Sequence, residues 1–99
     1  MEFKLALLAV KDVEVSKKFY TELFAQKVAL DLGWNVTFSG GFAIQQNFAW
    51  LIDLPKDTII EKSNNMELYF EVDNFDEFLN KLKDYSEIKY VHPPKKHEW

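Results

Sequence analysis

At 99 residues, the chain has room for one domain built around one core. Hydrophobic residues make up 47% and charged residues 28%, a balance that excludes a disordered chain. A net charge of −4 leaves no electrostatic footprint for a nucleic-acid backbone, and the absence of cysteine excludes disulfides, thiolate metal sites and a cysteine nucleophile.

The pairs Lys17–Lys18 and Lys95–Lys96 read as solvated edges, because phosphate sites need a clustered basic face. The opening run MEFKLALLAVKD is too short to cross a bilayer, and no small-residue cleavage site follows it. A cytoplasmic protein with neither a membrane nor a nucleic-acid partner is the expectation.

Phe3–Val10 is an apolar run that stops at Lys11–Asp12 and reads as a buried strand. Asp12 is an N-cap for the helix that follows, with Glu14 in the first turn and Val15, Phe19 and Leu23 as its apolar stripe. Three short strands are predicted next, Lys27–Asp31, Trp34–Ser39 and Phe42–Phe48, with turns at Gly33 and Gly40–Gly41. The first unit is therefore β-α-β-β-β.

Ala49–Asn65 reads as a long connection around Pro55. The opening pattern then returns. Met66–Val72 is predicted as a strand with Leu68, Phe70 and Val72 alternating against Glu67, Tyr69 and Glu71. Asn74 and Glu77 suggest a capped helix start, Phe75, Phe78, Leu79 and Leu82 a helical stripe, and Glu87–Val91 a short last strand before Pro93–Pro94.

Placing Val10–Lys11–Asp12 over Val72–Asp73–Asn74 sets an offset of 62, under which the order of elements repeats while identity is weak. Under this offset Trp99 answers to Thr37 in the first unit, so the second unit stops short of its last strands. The expectation is one domain over residues 1–99, with a first module at 1–62 and a partial second module at 63–99. An incomplete sheet edge carries unpaired backbone groups, so homodimerisation or higher self-association through that edge is also expected.

The run Leu8-Ala-Val-Lys-Asp12-x-x-x-Ser16-x-x-Phe19-Tyr20 resembles the opening of vicinal-oxygen-chelate proteins, the superfamily of glyoxalases, bleomycin resistance proteins and dioxygenases. Glu67–Asn74 leading into a Phe-rich helix is similar to the start of that family's second module, and His92-Pro-Pro…Trp99 to the approach to its closing strands. The resemblance implies an α+β fold of paired βαβββ modules, here with the second module incomplete (β-α-β), whose sheets curl into a cup around a ligand.

Many members hold a divalent metal with one side chain from each of four strands. Carried over singly, those positions fall on Leu5, which cannot coordinate, on Gln45, a weak oxygen ligand, and on Glu67, which is competent. The fourth lies beyond Trp99. Two candidate ligands do not make a catalytic metal site, so no metal and no cofactor are expected, with a divalent metal kept as the alternative.

Glu67, Tyr69 and Glu71 share one strand face by period-two alternation. They form either a wet sheet face or the polar wall of the cup, with Glu67 as the best candidate general base or ligand anchor and Tyr69 as a hydrogen-bond donor. Leu5 and Leu7, with Ala9, face the same cup from the first strand. Gln45 is either an exposed strand position or a ligand contact, and Trp34, Trp50 and Trp99 are candidate walls for a flat ligand, with core packing the other reading for Trp34 and a frayed chain end for Trp99.

His92 and His97 read as exposed loop histidines, because coordination needs further ligands nearby. No strand-to-helix glycine cradle and no nucleophile elbow occurs, so phosphoryl transfer and serine hydrolysis are set aside.

Three readings follow. In the first, the chain is a metal-free small-molecule binding protein, similar to the drug-sequestering members of the superfamily. The others are a metal-dependent lyase or isomerase of the glyoxalase type, and a non-catalytic dimerising accessory module. The ligand-binding candidates are Gln45, Glu67, Tyr69, Glu71, Leu5, Leu7 and Trp34.

Overall fold

A computed structural model describes residues 1–85, 88–90 and 94. Four strands form one sheet in the order β1-β4-β3-β2, where β1 is Ala6–Val10, β2 Val28–Asp31, β3 Asn35–Phe38 and β4 Phe42–Gln46. β1 runs parallel to β4, while β4, β3 and β2 are antiparallel neighbours. Helix α1 (Val13–Glu22) supplies the crossover and covers one face. This is the expected α+β architecture of a βαβββ module, and its element order is the one read from residues 1–48.

The strands are shorter than the apolar runs that signal them. β1 begins at Ala6, where it meets Phe42 in register; Phe3 lies beyond the ladder and stays 83% exposed. β4 stops at Gln46 because Asn47 takes a left-handed conformation (φ 54°), which Asn tolerates better than most residues. Between β2 and β3 the register shifts between Val28 and Leu30, a bulge on the outer strand. Gly33 (φ 88°) and Gly41 (φ 101°) sit in the two hairpin turns, in backbone regions that favour glycine.

The entry to α1 is doubly capped. Asp12 Oδ1 accepts from the backbone N–H of Glu14 (3.0 Å) and of Val15 (3.2 Å). Gln46 Oε1 reaches across from β4 to accept from the Val13 N–H (3.0 Å). Together these satisfy three amides that a helix start leaves without partners.

That anchoring sets the phase of the helix and corrects the expected stripe. Val13 turns inward and is buried, while Val15, rotated by about 200° around the axis, is 61% exposed. Tyr20, Leu23 and Phe24 complete the inner face, with Leu23 buried. On the outer face Lys17 bridges Glu14 and Asp31 at 3.0 Å each, tying α1 to β2.

The core lies between α1 and the sheet. Val13, Val36, Phe38, Phe42 and Ile44 are buried, with Leu8, Val10, Tyr20, Leu68 and Phe70 packed against them. The register explains the grouping. Val36 pairs with Ile44 and Phe38 with Phe42 on β3 and β4, and Leu8 lies beside Ile44 from β1, so one face of three strands is continuously apolar. Tyr20 packs edge-on against Phe38 and Phe42, with ring centroids 5.7 and 5.2 Å away. Burial of its ring pushes the phenol pKa up from its ordinary value.

The long connection is not structureless. It contains a four-residue helix α2 (Phe48–Leu51) and a 3-10 turn at Lys56–Thr58.

The second unit departs most from expectation. Met66–Val72 joins no ladder, and among the described residues Asn64–Asp73 makes no backbone–backbone hydrogen bond. The predicted strand is thus corrected to an unpaired segment. Its alternation is real, since Leu68 and Phe70 are half-buried between exposed Glu67, Tyr69 and Glu71, but alternation reports burial and a strand also needs a neighbour.

Helix α3 (Phe75–Lys83) follows as predicted, with Asn74 Oδ1 accepting from the Glu77 N–H at 3.0 Å. Phe78, Leu79 and Leu82 are half-buried, while Phe75 is exposed. Of the expected last strand, Ile88–Tyr90 is not in a ladder, and the Ile88 N–H instead closes a turn onto the Tyr85 carbonyl. Glu87 and Val91, with His92, His97 and Trp99, lie outside the described residues. Among the described residues no helix is long and apolar enough to cross a membrane.

Candidate functional site

The residues predicted to share one cup fall into two groups. The first lies on the sheet face turned away from α1. Leu7 pairs with Ala43 and Ala9 with Gln45 in the β1–β4 register, opposite in parity to the core residues Leu8 and Ile44. Leu5 sits at the entry to β1, and both Leu5 and Leu7 are half-buried.

Gln45 is 3% exposed, so the structure buries it rather than leaving it at the surface. Both halves of its carboxamide are engaged: Oε1 accepts from Asn35 Nδ2 (2.9 Å), and Nε2 donates to the Gln46 carbonyl (2.7 Å). A polar group buried with its partners in place has the structural role of satisfying a sheet face, because breaking those bonds for a ligand would strand them. Trp34, 49% exposed, stands edge-on to Trp50 with ring centroids 6.3 Å apart and 84° between planes. That pair leaves both indoles largely open.

The second group lies along Met66–Val72. Leu68 and Phe70 pack on the helix-side core, and alternation turns Glu67, Tyr69 and Glu71 away from it. Tyr69 Oη donates to Glu71 Oε1 at 3.3 Å, and among the described residues neither Glu67 nor Glu71 is in an ion pair.

Tyr69 and Glu71 also line a cleft of about 510 Å³ between this segment and α3. Its other walls are Phe24, Leu68, Phe70, Val72, Phe75 and Phe78. Phe24 stacks on Phe70 (centroids 4.6 Å apart, 27° between planes) and lies 5.6 Å from Phe78. The volume is in the range of small-molecule sites. None of Leu5, Leu7, Gln45 or Trp34 lines it.

Reading the sequence missed Phe24, Phe75 and Phe78 as lining residues, and Asn35 as the partner of Gln45. The signal for the phenylalanines was present, in a run of rings at Phe19, Tyr20 and Phe24 answered by Phe70, Phe75 and Phe78. What hid them is that an apolar helical stripe reads the same whether it meets a closed core or an open cleft.

The donor set does not fit a family-type metal. Leu5 has no lone pair to offer, and the Gln45 oxygen already holds the Asn35 amide. Among the described residues no three His, Cys, Asp or Glu side chains come together as a metal ion requires.

A family model described as glyoxalase-like domain matches residues 3–99. No curated protein matches the chain. Among solved structures, the chain is similar to a protein of unknown function from Agrobacterium tumefaciens str. C58, with 28% identity and a TM-score of 0.74 over 100% of this chain and 79% of that one. The chain belongs to the glyoxalase-like domain family, within the vicinal-oxygen-chelate superfamily.

Proposed function

We propose that this glyoxalase-like chain is a metal-free binding protein for a small organic molecule. The observation that carries the reading is the aromatic cleft beside Met66–Val72, a space of about 510 Å³ that two predicted ligand residues, Tyr69 and Glu71, line together with Phe24, Phe70, Phe75 and Phe78. Phenyl walls supply affinity through burial, while a hydroxyl and a carboxylate orient what enters. The mismatch between the family's ligand positions and the side chains found there supports binding without a metal.

The test is a fragment screen read by amide chemical shifts, run beside a titration with Mn²⁺, Ni²⁺ and Zn²⁺. Fragments are expected to shift amides of Tyr69–Phe78, with no stoichiometric metal uptake. A divalent ion bound one-to-one and lost in Glu67→Gln would overturn the reading in favour of a metal-dependent lyase or isomerase.

A second reading, the dimerising accessory module, is favoured by the lack of backbone partners along Asn64–Asp73 among the described residues, since an extended edge of that kind recruits strands. Sedimentation of the intact chain across a hundredfold concentration range decides it. A species of constant monomer mass removes it.

A further inference from the structure

We propose that the cleft between Met66–Val72 and α3 selects lipophilic cations, meaning organic ammonium compounds with an aromatic or short alkyl group. This rests on the small-molecule reading above and adds the ligand's chemical class and the residues that choose it.

The floor of the cleft is aromatic. Phe24, Phe70 and Phe78 are half-buried and packed ring to ring, so they form a fixed apolar surface that needs little ordering when a ligand arrives. Phe75, 55% exposed, stands at the rim and exposes apolar area that a ligand would cover. An uncharged apolar guest would be served equally well by these rings.

The discrimination comes from the polar side. Among the described residues, Glu71 is the one carboxylate-bearing residue lining the cleft, none of the lining residues is Lys, Arg or His, and the hydrogen-bond partner of Glu71 is a neutral phenol, Tyr69 Oη at 3.3 Å. An anion placed here would meet the negative charge of Glu71, which is in no ion pair among the described residues. A cation would gain the carboxylate, and the faces of nearby rings carry the negative lobe of the aromatic quadrupole. Glu67, Asp73 and Asp76 flank the same stretch of chain, and the whole protein carries a net charge of −4, so the longer-range field has the same sign.

The Phe-rich floor and the Glu71 carboxylate thus make complementary demands, one for an apolar body and the other for a positive head. Ammonium compounds with an alkyl or aryl tail meet both.

The test compares three probes of one shape, 4-phenylbutylammonium, 4-phenylbutan-1-ol and 4-phenylbutanoate, by calorimetric titration of the intact chain at low salt with amide shifts recorded in parallel. The ammonium is expected to bind about two- to fivefold tighter than the alcohol, the range that one exposed ion pair or cation–π contact supplies, and the carboxylate more weakly than the alcohol. Glu71→Gln, at an exposed position, should bring the ammonium down to the affinity of the alcohol and leave the alcohol unchanged. Phe75→Ala should weaken all three.

Equal binding of ammonium and carboxylate, or an ammonium preference that survives Glu71→Gln, overturns the proposal. So does an absence of binding by all three probes when other fragments bind. Shifts centred on Gln45 and Trp34 would also end it while leaving small-molecule binding intact. A doubling of mass that shuts the probes out would assign the cleft to a second copy of the chain.

Discussion

Residues 6–46 and residues 60–85 start from the same kind of sequence, an apolar segment followed by a capped amphipathic helix, and reach different ends. In the first region the strand finds β4 beside it, the helix docks over the resulting sheet, and eight residues from Val13 to Gln45 fall below 9% exposure. In the second, the helix is capped too, though by one bond from Asn74 where Asp12 accepts two, but the extended segment has no ladder and no residue is buried to that degree.

Local signals are therefore sufficient for the helix and insufficient for the strand. A helix satisfies its backbone within itself, whereas a strand borrows its partner from elsewhere in the chain. What secures the second region is Leu68 and Phe70 resting on the core of the first.

The sharpest way to break this comparison is by cavity formation in matched aromatic residues. Phe38→Ala, at 1% exposure, should destabilise the chain by about 3–5 kcal/mol; Phe78→Ala, half-buried, should cost clearly less. Denaturant titrations of both variants check this, and equal losses would mean that the second region is as integral as the first.

The caps provide a finer comparison. Asp12→Ala and Asn74→Ala each remove a side-chain acceptor and should each cost about 1 kcal/mol of helix stability. Only the first should lower the global midpoint, because α1 is part of the cooperative core while α3 is not. Circular dichroism against amide exchange resolves the two, and a matching global loss from Asn74→Ala contradicts the division.

The smallest effect concerns pH. The Tyr20 phenol has its folded pKa raised above the ordinary value of 10.0 by burial, so its neutral form favours folding. That contribution is complete below the unfolded pKa and is lost as pH rises through the folded one. Tyr20→Phe should flatten the alkaline limb of a stability–pH curve while leaving the neutral plateau close to the parent. Unchanged alkaline sensitivity would show that the ring is wetter than the packing indicates.

Much of the first region was legible in the sequence, since Asp12, Gly33, Gly40 and Gly41 mark the ends of elements by backbone chemistry that acts locally. The phase of α1 was not, because it depends on Gln46, 33 residues away, holding the Val13 amide. Nor was the role of Gln45, whose polarity suggested a ligand contact until Asn35 proved to occupy its oxygen. At Met66–Val72 the period of two correctly separated buried from exposed side chains, yet it carries no information on strand pairing. Of the residues lining the cleft, Tyr69 and Glu71 were singled out from alternation, while Phe24 beyond the end of α1 and Phe75 and Phe78 of α3 come from elements whose apposition no local pattern encodes.

The bulge between Val28 and Leu30 has an effect on how the molecule behaves in crowded solution. β2 is the outermost strand, exposed throughout its length, and carries Val28 and Leu30 with apolar surface in view. A straight strand of that composition would be a template for fibrous stacking. The register shift breaks the even spacing of its outward amides and carbonyls, and Asp31, held by Lys17, puts a charge at its end. The irregularity thus acts as a guard on the border of the sheet, making β2 a poor template for edge-to-edge growth.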